Sequence, residues 1–183
     1  MSPRIEPAKS PYPEFAAKTF ERLMPPGVPP LTLFTTLARD ERLFSRFMAS
    51  GLLDKGHLTM RQREIVIHRI TAKCRSEYEW GVHMALFADR AGFTPAQRQA
   101  LVRGDANDPA WTENAERDLI AFCDELNDSC DVADARWSAL KSHLGEMALL
   151  EIVMLCGYYR MVSYLTNVMR LEPEAYAARF PAK

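Results

Sequence analysis

Residues 64 to 83 concentrate the side chains of this sequence that are able to do chemistry. They include three carboxylates (Glu64, Glu77, Glu79), two imidazoles (His68, His83), one thiol (Cys74) and the aromatic pair Tyr78 and Trp80. Twice a Glu precedes a His by four, Glu64 to His68 and Glu79 to His83. On an α-helix that interval places both groups on one face about one turn apart, so each carboxylate can orient its imidazole and make it more basic. Such a pair suits proton transfer: His83 with Glu79 reads as a proton donor, and Glu64 completes a Glu and His relay if its helix packs against theirs. Arg61, Arg63, Arg69 and Arg75 stand close enough in sequence to bind a substrate carboxylate, and spacing does not choose among them. Glu64, His68, Glu79 and His83 also form a two-His, two-carboxylate set of the kind that holds iron, manganese or zinc. Helical carboxylate sites more often use Glu-x-x-His, so no metal and no cofactor is expected.

Each group has a structural reading beside the chemical one. Ser76-Glu77-Tyr78-Glu79 has the form of a capping box, in which Ser76 caps a helix and Glu79 reaches back to the Ser76 amide. Glu64 stands among Ile65, Val66 and Ile67, where burial would raise its pKa, or else it is an acid favoured by the helix dipole. Cys74 reads as a small apolar residue at a helix end, although Lys73 and Arg75 beside it keep a redox role open. Tyr78 and Trp80 fit a core or interface as well as the neighbourhood of a substrate. Cys123 and Cys130 cannot bridge within one continuous helix, and Cys156 falls in a buried one.

The elements that must position these residues all read as helices. The first thirty residues carry eight of the twelve prolines and are expected to form a surface arm (1–30) without a long regular element. Residues 31–183 form the helical domain. A helix or helix pair is expected over Leu31–Ala49, and Thr59 with Gln62 opens a helix running to about Lys73. Another is expected from Ser76 to about Ala91 with Gly92 closing it, and Thr94-Pro95 starts the next. Further helices are expected near 112–128, 133–144 and 146–169. No alternating apolar pattern of useful length occurs, so the fold class is all-α. Glu-Ile-Val occurs at 64–66 and again at 151–153, each time early in an apolar helix.

Whole-chain quantities narrow the function further. At 183 residues and 48% hydrophobic content the chain can bury a genuine core. A net charge of -1 without a basic run argues against nucleic acid or an anionic membrane as partner. Four cysteines without close, even spacing fit a reducing cytoplasm, and the N-terminus lacks the apolar stretch of a signal peptide. Residues 147–169 are apolar enough to suggest a membrane span, but Glu151 and Arg160 inside the run argue for a core helix or one buried between subunits.

Glu64, the string Ser76-Glu77-Tyr78-Glu79-Trp80-Gly81-Val82-His83, and the distal Leu150-Glu151-Ile152-Val153 and Gly157-Tyr158-Tyr159-Arg160 resemble the carboxymuconolactone decarboxylase family. Its superfamily includes the alkyl hydroperoxidase D proteins, and the resemblance runs from about Leu31 to Pro173. It implies an alkyl hydroperoxidase D-like helical bundle, a homo-oligomer and a site on the helical hairpin. The peroxidase branch carries Glu, then Cys-x-x-Cys, then His. Aligned by the His, its cysteines fall on Ser76 and Glu79, so both thiols are missing. The resemblance therefore implies an acid and base enzyme acting without cofactor on a small carboxylated or lactone substrate. The catalytic set is Glu64, Glu79 and His83, with Ser76, Tyr78, Trp80 and Cys74 near the site. A thiol peroxidase using Cys74 and a non-catalytic scaffold of the same fold are the alternatives.

Overall fold

The computed structural model describes residues 2–182, and among these every regular element is an α-helix. Nine are present: α1 Glu14–Leu23, α2 Thr32–Leu37, α3 Glu41–Ala49, α4 Met60–Lys73, α5 Glu77–Phe87, α6 Pro95–Arg103, α7 Asn114–Ser129, α8 Asp134–Leu144 and α9 Glu146–Met169. Helix α4 is the hub, packed against α5, α6, α7 and α9. Its residues Glu64 through Thr71 are all buried, so this helix has no solvent face in its middle two turns.

Local chemistry sets most of the boundaries. Thr59 and Thr94 each accept from the amide three residues on while Gln62 and Gln97 reach back, closing both halves of two capping boxes. Leu31–Ala49 divides at Asp40, whose carboxylate caps α3 by accepting from the Leu43 amide at 2.9 Å. One expectation is corrected: the segment before Pro30 holds the ten-residue helix α1. Its prolines fall at 3–13 and 25–30, leaving a proline-free window, and Ala16 and Phe20 drive that window onto Phe44 of α3. Helix α5 also stops earlier than expected, at Phe87, and Gly92 at φ +71 turns the chain toward α6.

Residues 171–182 fold back as a strap over the start of α5. Ala178 donates to the Gly81 carbonyl at 3.1 Å, the Phe180 amide donates to Glu77 at 2.9 Å, and the Phe180 ring lies 5.2 Å from Trp80. Gly81 allows this contact, because a Cβ there would fall 2.2 Å from the Ala178 carbonyl oxygen. Gly81→Ala should therefore lift the strap and free the backbone around Arg179, whose side chain is already exposed, speeding tryptic cleavage near the C-terminus and lowering the melting temperature. Unchanged cleavage would show that the strap is not docked through Gly81.

Candidate active site

Three helices bring the site together. Glu64 projects from the second turn of α4, Glu79 and His83 lie one turn apart on α5, and Tyr159 comes from the middle of α9. Ser76 caps α5 by accepting from the Glu79 amide at 3.5 Å, and its hydroxyl lies 2.8 Å from Thr166 of α9. This fixes the angle at which α5 leaves the hub and points its first turn at α9.

The imidazole of His83 is the junction. Its Nδ1 lies 2.9 Å from Glu64 Oε2, and its Nε2 lies 3.1 Å from the Tyr159 hydroxyl and 3.4 Å from Glu79 Oε1. All four side chains are buried, Glu64 completely. Burial alone would push the His83 pKa down, but the hydrogen bonds and charges of Glu64 and Glu79 outweigh it and raise it to about 9. Burial likewise pushes the Glu64 pKa up, and His83, His68 and Arg63 more than reverse this, holding it below the usual carboxylate value. At neutral pH the pair is a carboxylate and an imidazolium, shielded from water.

The second His behaves oppositely. His68 turns its Nδ1 onto the carbonyl of Glu64 at 2.7 Å and sits 3.7 Å from the carboxylate of the same residue. Burial, the largest influence, lowers its pKa to about 4, so it is neutral. Its ring meets Trp80, His83 and Phe93 edge to face, which makes it a wall of the site. Both His83 nitrogens are engaged by protein groups, and no group of three or more His, Cys, Asp or Glu among the described residues is arranged to hold an ion.

Tyr78, Trp80 and Cys74 land where their structural reading places them, and the capping box at Ser76 does not form in full. The Glu79 carboxylate turns to His83 rather than back to the Ser76 amide, so the capping box expected at Ser76 is only half formed. Glu79 Oε2 is buried without a hydrogen-bond partner. Tyr78 is core: its hydroxyl donates to Glu174 at 2.5 Å and accepts from the Leu33 amide at 3.1 Å. Trp80 is core as well, between His68 and Phe180. Cys74 ends α4 beside Asn127, 3.6 Å from its side-chain oxygen, and burial pushes its thiol pKa up. Among the four arginines, Arg61 is committed to Glu116 and Arg69 to Asp124, whereas Arg63 reaches Glu64 Oε1 at 3.4 Å.

Tyr159 is the site residue that sequence reasoning missed. It sits in an apolar helix 76 positions from His83, and the only hint is a polar side chain within Gly-Tyr-Tyr-Arg where the run is otherwise suited to a core.

No known protein family and no curated protein matches this sequence. Solved structures do. One is an uncharacterized peroxidase-related protein from Silicibacter sp. TM1040, with a TM-score of 0.78 and 18% identity over 99% of this chain and 99% of that one. Another is the alkylhydroperoxidase AhpD core of an uncharacterized peroxidase-related protein from Ralstonia eutropha JMP134, with a TM-score of 0.72 and 20% identity over 90% of this chain and 91% of the other. The likeness establishes an AhpD-core fold for this chain.

Proposed function

We propose that the chain is a cofactor-independent acid and base enzyme of the AhpD-like fold, acting on a small carboxylated or lactone substrate. The observation that carries this reading is the buried Glu64–His83–Glu79 relay, in which His83 stays protonated at neutral pH and Glu79 keeps one oxygen unpartnered. In decarboxylation the bond to the carboxyl carbon breaks, CO2 leaves, and the electron pair enters the conjugated carbonyl system before a proton is added at carbon. Glu79 is the group that exchanges a proton with substrate, His83 resupplies it through Nε2, and Glu64 holds the imidazole in place. The Tyr159 hydroxyl at Nε2 keeps the ring aligned when Glu79 swings toward substrate.

Thiol peroxidase chemistry is supported less well. The positions aligned with the cysteines of that branch hold Ser76 and Glu79. Cys74 faces Asn127 with its pKa raised, whereas a reactive thiol needs its pKa lowered. All four cysteines are free, Cys123 and Cys156 included at 4.0 Å between sulfurs, in keeping with a reducing cytoplasm. The deciding experiment assays the purified chain for CO2 release from a set of unsaturated lactone carboxylates, and for peroxide reduction with a dithiol donor. Release of CO2 that needs His83 and not Cys74 is expected, with peroxide turnover near background. Robust peroxide turnover that disappears in Cys74→Ser would reverse the assignment.

The enzyme is further proposed to work as a homo-oligomer joined along α9. Met147, Leu150, Met154, Met161, Tyr164 and Val168 are all exposed and follow the alternating three and four spacing of a coiled-coil seam, with Gly157 filling the vacant position. Nothing lies within 4 Å above Gly157, so a second helix can approach closely there. The helix is long and apolar enough to cross a membrane. Its opposite face carries Tyr159 into the site, however, and that face would be lost in lipid. Light scattering should give at least twice the 20.8 kDa chain mass, and Met154→Glu with Met161→Glu should give the single-chain mass. A monomeric parent protein at micromolar concentration would remove the seam.

A further inference from the structure

A cleft of about 360 Å³ opens between the 53–60 segment and the last turn of α5, lined by Leu53, Lys55, Leu58, Arg63, Phe87 and Arg90 among others. It adjoins the relay on two sides. The ring of Phe87 lies 5.1 Å from that of His83, and Arg63 spans from the Leu53 carbonyl at 3.0 Å to Glu64 Oε1 at 3.4 Å. The Phe87 ring therefore stands between the cleft and the His83 imidazole, and the Arg63 guanidinium between the cleft and Glu64.

Its chemistry is two-sided. Leu53, Leu58, Met60 and Phe87 supply apolar wall; of the three lining cations Arg63 is shared with Glu64, which leaves Lys55 and Arg90 beside the single lining carboxylate of Asp54. On a chain whose formal charge is -1 this is a local excess of positive charge. Neither Lys55 nor Arg90 has an acidic partner among the described residues, and the Arg90 guanidinium rests 5.9 Å from the Phe87 ring centre. By contrast, Arg61, Arg69 and Arg98 elsewhere on α4 and α6 are tied to Glu116, Asp124 and Asp89. Two cations, Arg90 and Lys55, that line an apolar hollow without a carboxylate of their own suit a ligand that brings one.

We infer that this cleft receives a monocarboxylate with a compact apolar body, its carboxylate at Arg90 and Lys55 and its body against Leu58 and Phe87. The inference rests on the proposed acid and base function only for what happens next: Phe87 must swing aside for the substrate to reach Glu79. Binding itself does not depend on that step. The volume lies at the small end of ligand pockets, which limits the occupant to roughly the size of a substituted ring.

Calorimetric titration of the full chain with benzoate and with benzamide, equal in shape and different in charge, tests the inference. Benzoate should bind about tenfold or more tightly than benzamide, a difference of about 1.4 kcal/mol, and should weaken as salt is raised. Arg90→Gln, an exposed position where folding is not at stake, should reduce benzoate affinity to that of benzamide and leave benzamide unchanged. Equal binding of the two probes, no binding of either, or an Arg90→Gln variant that binds benzoate like the parent would each overturn the inference. The same titration on His83→Ala separates the two claims. Benzoate binding that survives there supports the cleft even if no decarboxylation is ever found, whereas turnover without benzoate binding refutes the cleft and leaves the relay standing.

Discussion

Glu79→Gln and His83→Ala should each lower turnover of the substrate by about 100- to 10,000-fold, the usual cost of removing a positioned general acid or base. The two losses have different origins. Glutamine at 79 keeps the size of the side chain and its contact with His83, but its amide cannot give a proton to substrate or take one from it, as a carboxyl group can. Alanine at 83 removes the proton store and leaves Glu64 and Tyr159 facing an empty space, so its melting behaviour must be compared with the parent before the rate is interpreted. Cys74→Ser should stay near the parent rate, because its contacts are Asn127 and the α9 side of the bundle rather than the relay. Since Glu79 and His83 act as one unit, the double variant should be scarcely slower than either single one. Additive losses in the double variant, or an active Glu79→Gln enzyme, would separate Glu79 from the proton path.

How much of this was legible beforehand depended on the range over which each feature is determined. The capping boxes at Thr59 and Thr94 are four-residue facts, and the structure shows both as the sequence spells them. The same pattern at Ser76 is only half realised: the Glu79 side chain had two claimants, its own helix terminus and His83, and a buried imidazolium is the stronger partner for a carboxylate. The pairing of Glu64 shows the limit most clearly. Helical spacing links it to His68, yet its carboxylate lies 2.9 Å from His83 on the next helix and 3.7 Å from His68. Which imidazole a carboxylate takes is decided by the register of α4 against α5, and that is set by Ile65, Ile67, Trp80 and their neighbours in the core rather than by the four-residue interval. Tyr159 lay beyond reach for the same reason. Helix α1 was missed differently: a high local proline count hid the proline-free window that holds it.

Glu64→Gln should be among the most destabilising single substitutions in this protein, because it takes one partner from a buried ion pair and leaves the imidazolium with Glu79 alone. Breaking such a pair costs about 3–5 kcal/mol, which for a domain of this size lowers the melting temperature by roughly 6–20 °C. The dependence on pH identifies the pair. In the folded chain His83 titrates at about 9 against an ordinary 6.5, so the unfolded chain gives up this proton first; the stability it contributes is complete below pH 6.5 and is lost as pH rises through 9. His68 has the opposite sign: held at about 4 by burial, it contributes stability above pH 6.5 that is lost as pH falls through 4. The Glu64 carboxyl, held below its ordinary value, adds to that acid-side loss. Parent protein should therefore be most stable near pH 6.5 and fall away on both sides. In Glu64→Gln the alkaline fall should flatten, since burial is no longer opposed by the Glu64 charge and the His83 pKa drops toward or below its ordinary value. Thermal melts across this range read both effects together. A variant that melts with the parent, or one that keeps the parent's full alkaline slope, would mean that the stability of the site does not come from the Glu64–His83 pair.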